Sequence, residues 1–200
     1  MTARWPTTAA VLLLAHAAAA AGTGTLKGIV TRDGAGTPVV ADAVVAIEGP
    51  SAPAAPSAPH AIVDQRNDTF IPHVVAVAVG TTVDFPNHDP RLHNVFSASP
   101  PKKIDLGMYD QGETRSVTFD APGVVRLGCN VHPKMEAFVF VHPNPWVAVT
   151  DARGGYTIAG VPSGTYELRV WHEGFGERRM PVTVRDGAVQ SLDVRLPAAH

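Results

Sequence analysis

Cysteine is almost missing from this chain, because Cys129 is the only one among 200 residues. A lone cysteine excludes an internal disulfide and leaves a thiol that is either free or engaged elsewhere. Charge is also scarce, at 17% of residues with a formal net charge of −2, so the sequence shows no electrostatic footprint for nucleic acid. The chain has no G-x-S-x-G pattern to support a hydrolytic nucleophile, and we expect that it is not an enzyme.

The first 21 residues read as a targeting segment. Arg4 supplies a positive start, an apolar run follows from Ala9 to Ala20, and small residues precede Gly22. The run is shorter than the roughly 20 apolar residues that span a bilayer, although an uncleaved anchor is the alternative. We therefore expect residues 1–21 to be a signal peptide and the mature protein to be periplasmic, with no membrane span after processing. Its charge would be near −3.

Export makes the lone thiol informative, because oxidising compartments usually pair cysteines. Cys129 opens the run Cys129-Asn130-Val131-His132-Pro133-Lys134-Met135, in which a thiol, an imidazole and a thioether recur at intervals of three. Together with a second imidazole, these are the ligand types of a blue-copper site. His93, in a loop that enters a predicted strand, is the candidate for that imidazole. The alternative is a buried free cysteine with an incidental His and Met.

The mature chain is strand-like throughout, with short Val-, Thr- and Ile-rich runs between Gly, Pro, Asp and Asn. This pattern indicates an all-β sandwich protein. We predict a brief helical turn near Ile104 to Tyr109. The predicted strands include Thr25 to Arg32, Val74 to Val79, Glu113 to Phe119, Val124 to Gly128, Ala137 to Val141, Thr165 to Trp171, Pro181 to Val184 and Val189 to Leu196.

Residues 70–141 resemble the cupredoxin family, and most closely its amicyanin and plastocyanin branch. The resemblance rests on Phe70-Ile71-Pro72, Thr82-Val83-Asp84-Phe85-Pro86-Asn87, His93-Asn94, the strand Gly123 to Cys129 and the C-x2-H-x2-M spacing. It implies one mononuclear type 1 copper ion at His93, Cys129, His132 and Met135, with one-electron transfer as the activity. Asn94 is expected to tie the His93 loop to the Cys129 loop.

The segments on either side resemble a carboxypeptidase-regulatory-like, transthyretin-like module. Gly28-Ile29-Val30 and Ala43 to Ile47 look like its opening, and Thr150 to Ile158 with Val161 to Leu168 look like its remainder. The predicted fold is thus a cupredoxin Greek-key sandwich at 62–143 plus a second, smaller sandwich. That second sandwich would be discontinuous, at 24–48 and 144–197, with a linker at 49–61 rich in Pro, Ala and Ser. The alternative is a separate C-terminal sandwich beside a cupredoxin with an extra strand pair.

The resemblance also implies a transient partner, a periplasmic cytochrome or dehydrogenase. The docking candidates are Pro90, Arg91, Leu92, Pro133 and Lys134, and we expect Arg91, Lys134, Lys102 and Lys103 to form a basic mouth that steers an acidic partner. Competing functions are copper delivery and a binding or adhesion module with structural copper or none. His88 is an alternative ligand to His93, and Met108 is an alternative to Met135. Zinc is an alternative to copper, because the same nitrogen and sulfur ligands bind it.

Overall fold

A computed structural model describes residues 22–36, 38–49 and 60–198, and every regular element in it is a strand. The predicted signal peptide and most of the predicted linker lie outside these residues. No helix that is long and apolar enough to cross a membrane occurs in the described ranges. The strands are β1 (Thr23–Arg32), β2 (Val44–Glu48), β3 (Ala61–Ile62), β4 (Asp64–Arg66), β5 (Thr69–Ile71), β6 (Val74–Ala78), β7 (Thr81–Pro86), β8 (His93–Ser97), β9 (Ile104–Tyr109), β10 (Thr114–Phe119), β11 (Gly123–Gly128), β12 (Glu136–His142), β13 (Val147–Val149), β14 (Gly155–Pro162), β15 (Gly164–His172), β16 (Gly176–Val184), β17 (Val189–Ser191) and β18 (Val194–Leu196).

The middle of the chain forms one sandwich. A sheet in the order β10-β7-β3 faces a sheet in the order β6-β12-β11-β8-β9, and the two enclose one apolar cluster. Alternate side chains of each strand point inward, as the two-residue period of a strand requires. Phe85 and Phe119 meet Leu127 and Val139 in this cluster, and Cys129 and Met135 belong to it as well.

The two ends of the chain form the other sandwich. One sheet has the order β13-β2-β15-β16, and the other pairs β1 with β14, β17 and β18. Their shared core contains Leu26, Ile47, Leu168 and Leu196, all fully buried. Strands β1 and β2 therefore hydrogen-bond with strands more than a hundred residues later in the chain. The domain boundaries 24–48 and 144–197 remain our proposal.

Strand β12 is buried on both faces, which its near-continuous apolar sequence requires. Val139 points into the sandwich core, whereas Phe138 and Phe140 point the other way and pack with Val44 and Ala46 of β2. Trp171 of β15 closes this contact, with its ring centroid 5.5 Å from that of Phe138. The two sandwiches are thus joined by an apolar interface.

The helical turn predicted at Ile104 to Tyr109 is wrong, because this segment is strand β9. Its partly buried Ile104 and Leu106 alternate with exposed residues, and it pairs antiparallel with β8, where His93 faces Tyr109. Pairing along β8 outweighs the local turn propensity of Gly107. The strand expected from Val189 to Leu196 is divided into β17 and β18, which both pair with β1.

Candidate metal centre

Asn87 shapes the loop that delivers His93. Its buried side-chain amide donates to the carbonyls of Arg91 (2.9 Å) and Tyr109 (3.1 Å), and its Oδ1 accepts from the backbone N–H of Asp89 (3.0 Å). These bonds satisfy the backbone of a tight loop that could not otherwise be buried. His93 consequently enters β8 with its side chain fully buried.

Strands β11 and β12 form a hairpin, and the loop between them carries the motif Cys129 to Met135. The backbone N–H of Met135 donates to the carbonyl of His132 (2.9 Å), which closes a turn with Pro133 and Lys134 at its centre. Proline at the first central position has the fixed φ that such a turn favours. Cys129 and Met135 are buried, whereas Pro133 and Lys134 are exposed. The loop between β11 and β12 therefore directs both of its sulfur atoms inward.

Three donor atoms converge between the two loops. The Sγ of Cys129 lies 3.9 Å from Nδ1 of His93 and 3.8 Å from Nδ1 of His132, and the two nitrogens are 2.9 Å apart. A point equidistant from all three lies about 2.1 Å from each, close to the roughly 2.0–2.3 Å bonds that imidazole and thiolate make to a zinc ion. The donor set therefore fits a single transition-metal ion.

The fourth predicted ligand, Met135, is 98% buried in the same apolar cluster as Cys129. The side chain of Met135 thus lies inside the sandwich, whereas its neighbours Pro133 and Lys134 face solvent. Its role as the axial ligand stays a prediction.

Asn94 joins the two loops directly. Its Oδ1 accepts a hydrogen bond from the backbone N–H of Asn130 at 2.8 Å, and its side chain is 2% exposed. Asn94 follows His93 and Asn130 follows Cys129, so this one bond connects the segments that supply the distant ligands. The spacing of the donor atoms therefore depends on it.

Two carboxylates lie behind the imidazoles, on the side away from Cys129. Asp89 Oδ2 is 3.4 Å from Nε2 of His93, and Asp68 Oδ1 is 3.5 Å from Nε2 of His132. The backbone N–H of Asp68 donates to Asp89, which outweighs burial and lowers the pKa of Asp89. Sequence reasoning missed both residues. The pair Asn67-Asp68, two residues that tolerate left-handed backbone between strand-like runs, was a hairpin signal that could have pointed to one of them.

The alternative ligands lie elsewhere. His88 is exposed, and its Nδ1 is 2.8 Å from Asp64 rather than directed to Cys129. Met108 is 42% exposed on β9. Among the described residues, the only groups of three His, Cys, Asp or Glu side chains close enough to share an ion are His93 with Cys129 and His132, and His93 with Asp68 and Asp89.

The surface around the site is less basic than the sequence suggests. Pro90, Arg91, Leu92, Pro133 and Lys134 are all exposed in the two ligand loops. The expectation for Lys102 is wrong, because it pairs with Asp120 at 3.0 Å beside the start of β11, whereas Cys129 follows its end. Arg91 is paired with Asp68 at 3.1 Å, which further reduces the positive charge of the predicted mouth.

Comparison with known families and structures returns both resemblances. The carboxypeptidase regulatory-like domain matches residues 123–197, starting at β11 and extending through β18. No curated protein matches the chain.

Solved structures match the middle of the chain. A copper-containing nitrite reductase from Thermus scotoductus SA-01 is 26% identical with a TM-score of 0.40, and the match covers 42% of this chain and only 22% of the reductase. A reduced Cu(I) form of an amicyanin mutant at pH 4 is 24% identical with a TM-score of 0.40, over 49% of this chain and 98% of amicyanin. A purple cupredoxin from Nitrosopumilus maritimus is 24% identical with a TM-score of 0.38, over 41% of this chain and 99% of that protein.

Proposed function

We propose that this chain is a copper protein that carries single electrons between redox partners. The observation that carries this proposal is the convergence of Cys129 Sγ with the Nδ1 atoms of His93 and His132 at mutual distances of 2.9 to 3.9 Å. A thiolate and two imidazoles with a buried thioether nearby form the donor set of a type 1 copper site. Copper bound there would supply a one-electron couple.

The residues of this chain restrict movement of the donor atoms. His93 is held by the Asn87 loop, the Cys129 loop is a short hairpin between β11 and β12, and Asn94 connects the two. Ligands that are fixed before the ion binds need little rearrangement when its charge changes, which favours fast electron transfer over catalysis. The single sulfur-rich loop also gives little support to copper delivery, which needs several exposed ligands.

The predicted signal peptide at residues 1–21 supports a periplasmic location, and the exposed loop residues support a transient redox partner. His132 is the only one of the three converging ligands with an accessible side chain, at 24% exposed. The loop of His132 also carries the exposed Pro133 and Lys134, and the loop before His93 carries the exposed Pro90, Arg91 and Leu92. We propose that a cytochrome or dehydrogenase docks over these residues.

The visible spectrum tests the copper proposal. Purified protein loaded with one equivalent of Cu(II) should show a strong blue thiolate-to-copper band that disappears on adding a one-electron reductant and returns on reoxidation. Cys129→Ser should bind copper without that band, because a hydroxyl does not supply the charge-transfer donor. A colourless wild-type complex would refute the proposal and favour a structural ion.

A further inference from the structure

Two buried polar atoms behind the imidazoles have no hydrogen-bond partner: Nε2 of His93 and Oδ1 of Asp68. They lie 3.9 Å apart. The same oxygen is 3.5 Å from Nε2 of His132, and Asp89 Oδ2 is 3.4 Å from Nε2 of His93. Buried donors and acceptors in native proteins are nearly always hydrogen-bonded, so one explanation is needed for both of these facing groups.

The state of the imidazoles with metal bound supplies the explanation. An ion held by Nδ1 needs the lone pair of that nitrogen, so the single proton of a neutral imidazole must then sit on Nε2. The Nε2–H groups of His93 and His132 become donors that point at Asp89 and Asp68. Carboxylates accept such bonds strongly because they are charged.

The position of Asp68 is built into the fold. Asn67 and Asp68 both have left-handed backbone, with φ of 53° and 55°, and form the two-residue turn between β4 and β5. Gln65 of β4 is fully buried and donates to the carbonyl of Pro86 (3.2 Å) and to the hydroxyl of Tyr109 (2.5 Å). These contacts fix the hairpin to the sandwich and hold its tip over the imidazoles.

Arg91 argues against a second cation between these carboxylates. Its guanidinium is 3.1 Å from Asp68 Oδ2, and its backbone N–H donates to Asp89 Oδ1. Asp89 Oδ2 already accepts from the backbone N–H of Asp68 at 2.7 Å. Only Asp68 Oδ1 is left without a partner, and it faces the imidazoles. Asp89 Oδ2 can accept a second hydrogen bond, from His93, beside the one from Asp68. These oxygens suit N–H donors rather than an ion.

We propose that Asp68 and Asp89 are positioning residues, which accept the Nε2–H groups of His132 and His93 and keep both Nδ1 atoms free for metal. Their negative charge also increases electron donation from the imidazole nitrogens to the metal and stabilises Cu(II) relative to Cu(I). Asp68 additionally covers the partly exposed imidazole of His132. The part of this inference that concerns the reduction potential rests on the proposed copper function, whereas the hydrogen bonds themselves apply to any ion at the site.

Asp68→Asn provides the test, with Asp120→Asn as the matched control. Both changes remove one negative charge, but Asp120 contacts Lys102 beside the opposite end of β11. Asp68→Asn should weaken Zn(II) binding about 10-fold or more in a chelator competition, as loss of a carboxylate behind a ligating imidazole does. In the Zn(II)-loaded protein, the His132 Nε2–H proton resonance should move upfield. Asp120→Asn should change neither.

Copper-loaded protein gives a further measurement. If affinity for Cu(II) relative to Cu(I) falls tenfold in Asp68→Asn, the reduction potential rises by about 59 mV, while the blue band is kept. Asp89→Asn should act in the same direction through His93. This inference alone would be overturned if the wild type forms a blue copper complex but Asp68→Asn and Asp120→Asn have the same reduction potential and the same Zn(II) affinity. A wild type that binds Zn(II) as predicted and yet gives no blue copper complex would overturn only the proposed function.

Discussion

Asn94 offers the sharpest test of how the fold holds the site. Replacing it with alanine removes the Oδ1 that accepts from Asn130 N–H at 2.8 Å, and an unmatched buried donor costs about 1–3 kcal/mol. The other contact, from Asn94 Nδ2 to Asp105 at 3.5 Å, adds little because Gly107 N–H also donates to that oxygen at 3.0 Å. Asn130 is exposed, so water can reach part of the freed group. We expect a loss of about 1–2 kcal/mol and a fall in Tm of about 3–6 °C for the metal-free protein.

Asn94→Ala should weaken metal binding more than its effect on the stability of the metal-free protein would predict. Without the bond, the Cys129 segment can move away from His93, and the affinity for Cu(II) should fall about 10- to 100-fold. Chelator competition with Cu(II) measures this, and thermal unfolding followed by circular dichroism measures the stability. Asn130→Ala is the control, since it keeps the backbone N–H and changes only an exposed side chain. Equal effects of the two variants, or an unchanged copper affinity in Asn94→Ala, would refute the reasoning.

Three further changes test the rest of the fold. Phe140→Ala empties a buried position between the sandwiches and should lower the free energy of unfolding by about 3–5 kcal/mol in urea titrations, whereas Val189→Ala at a 64% exposed position should have little effect. Burial, the largest single effect, opposes protonation of His73, but the hydrogen bond and charge of Glu173 together with the hydrogen bond to the Glu136 carbonyl outweigh it and raise the pKa of His73. The contribution of protonated His73 to stability is therefore complete below about pH 6.5 and is lost as the pH rises through the raised pKa of His73 in the folded protein. His73→Gln should accordingly destabilise the protein more at about pH 5.5 than at about pH 8.5. Gly28→Ala would place a Cβ 2.0 Å from the backbone oxygen of Leu192 and should separate β1 from the β17–β18 connection, lowering Tm by several degrees; a wild-type melting curve would contradict that contact.

Most strands and the metal-binding residues could be predicted from short patterns in the sequence. Alternating Val and Thr runs between turn residues predicted the all-β fold, and the spacing Cys129, His132, Met135 predicted one loop with three soft or borderline ligands. The structure brings His93 to Cys129 and His132, which lie more than thirty residues later in the chain. Local patterns succeeded here because His93, Cys129 and Met135 lie at strand ends, and His132 lies in the short loop between two strands that are evident in the sequence.

The residues behind the imidazoles left only a weak local signal, the turn residues Asn67-Asp68. Asp68 acts across the fold, and its place depends on a hairpin of three-residue strands whose signal is too short to stand out. Asp89 belongs to a stretch that reads as an ordinary turn. The error at β9 has a related cause, since a segment with a central glycine becomes a strand only because β8 offers it a partner. Contacts with other segments of the chain decided all three cases, and one sequence contains no direct record of those contacts.

The position of β12 connects the second sandwich to the metal site. β12 begins at Glu136, directly after Met135, and hydrogen-bonds along its length to β11, which ends at Gly128, directly before Cys129. Its inward side chains belong to the core that contains both sulfur atoms, and its outward Phe138 and Phe140 are packed against β2 and Trp171. An ordinary surface strand could twist or fray under the ligand loop, but a strand packed on both faces has no free side toward which it can move. The second sandwich therefore restrains the hairpin that supplies two sulfur atoms and one imidazole. In a protein proposed to gain and lose an electron at that hairpin, this restraint has a direct functional use, and Phe140→Ala should reduce it without altering any ligand.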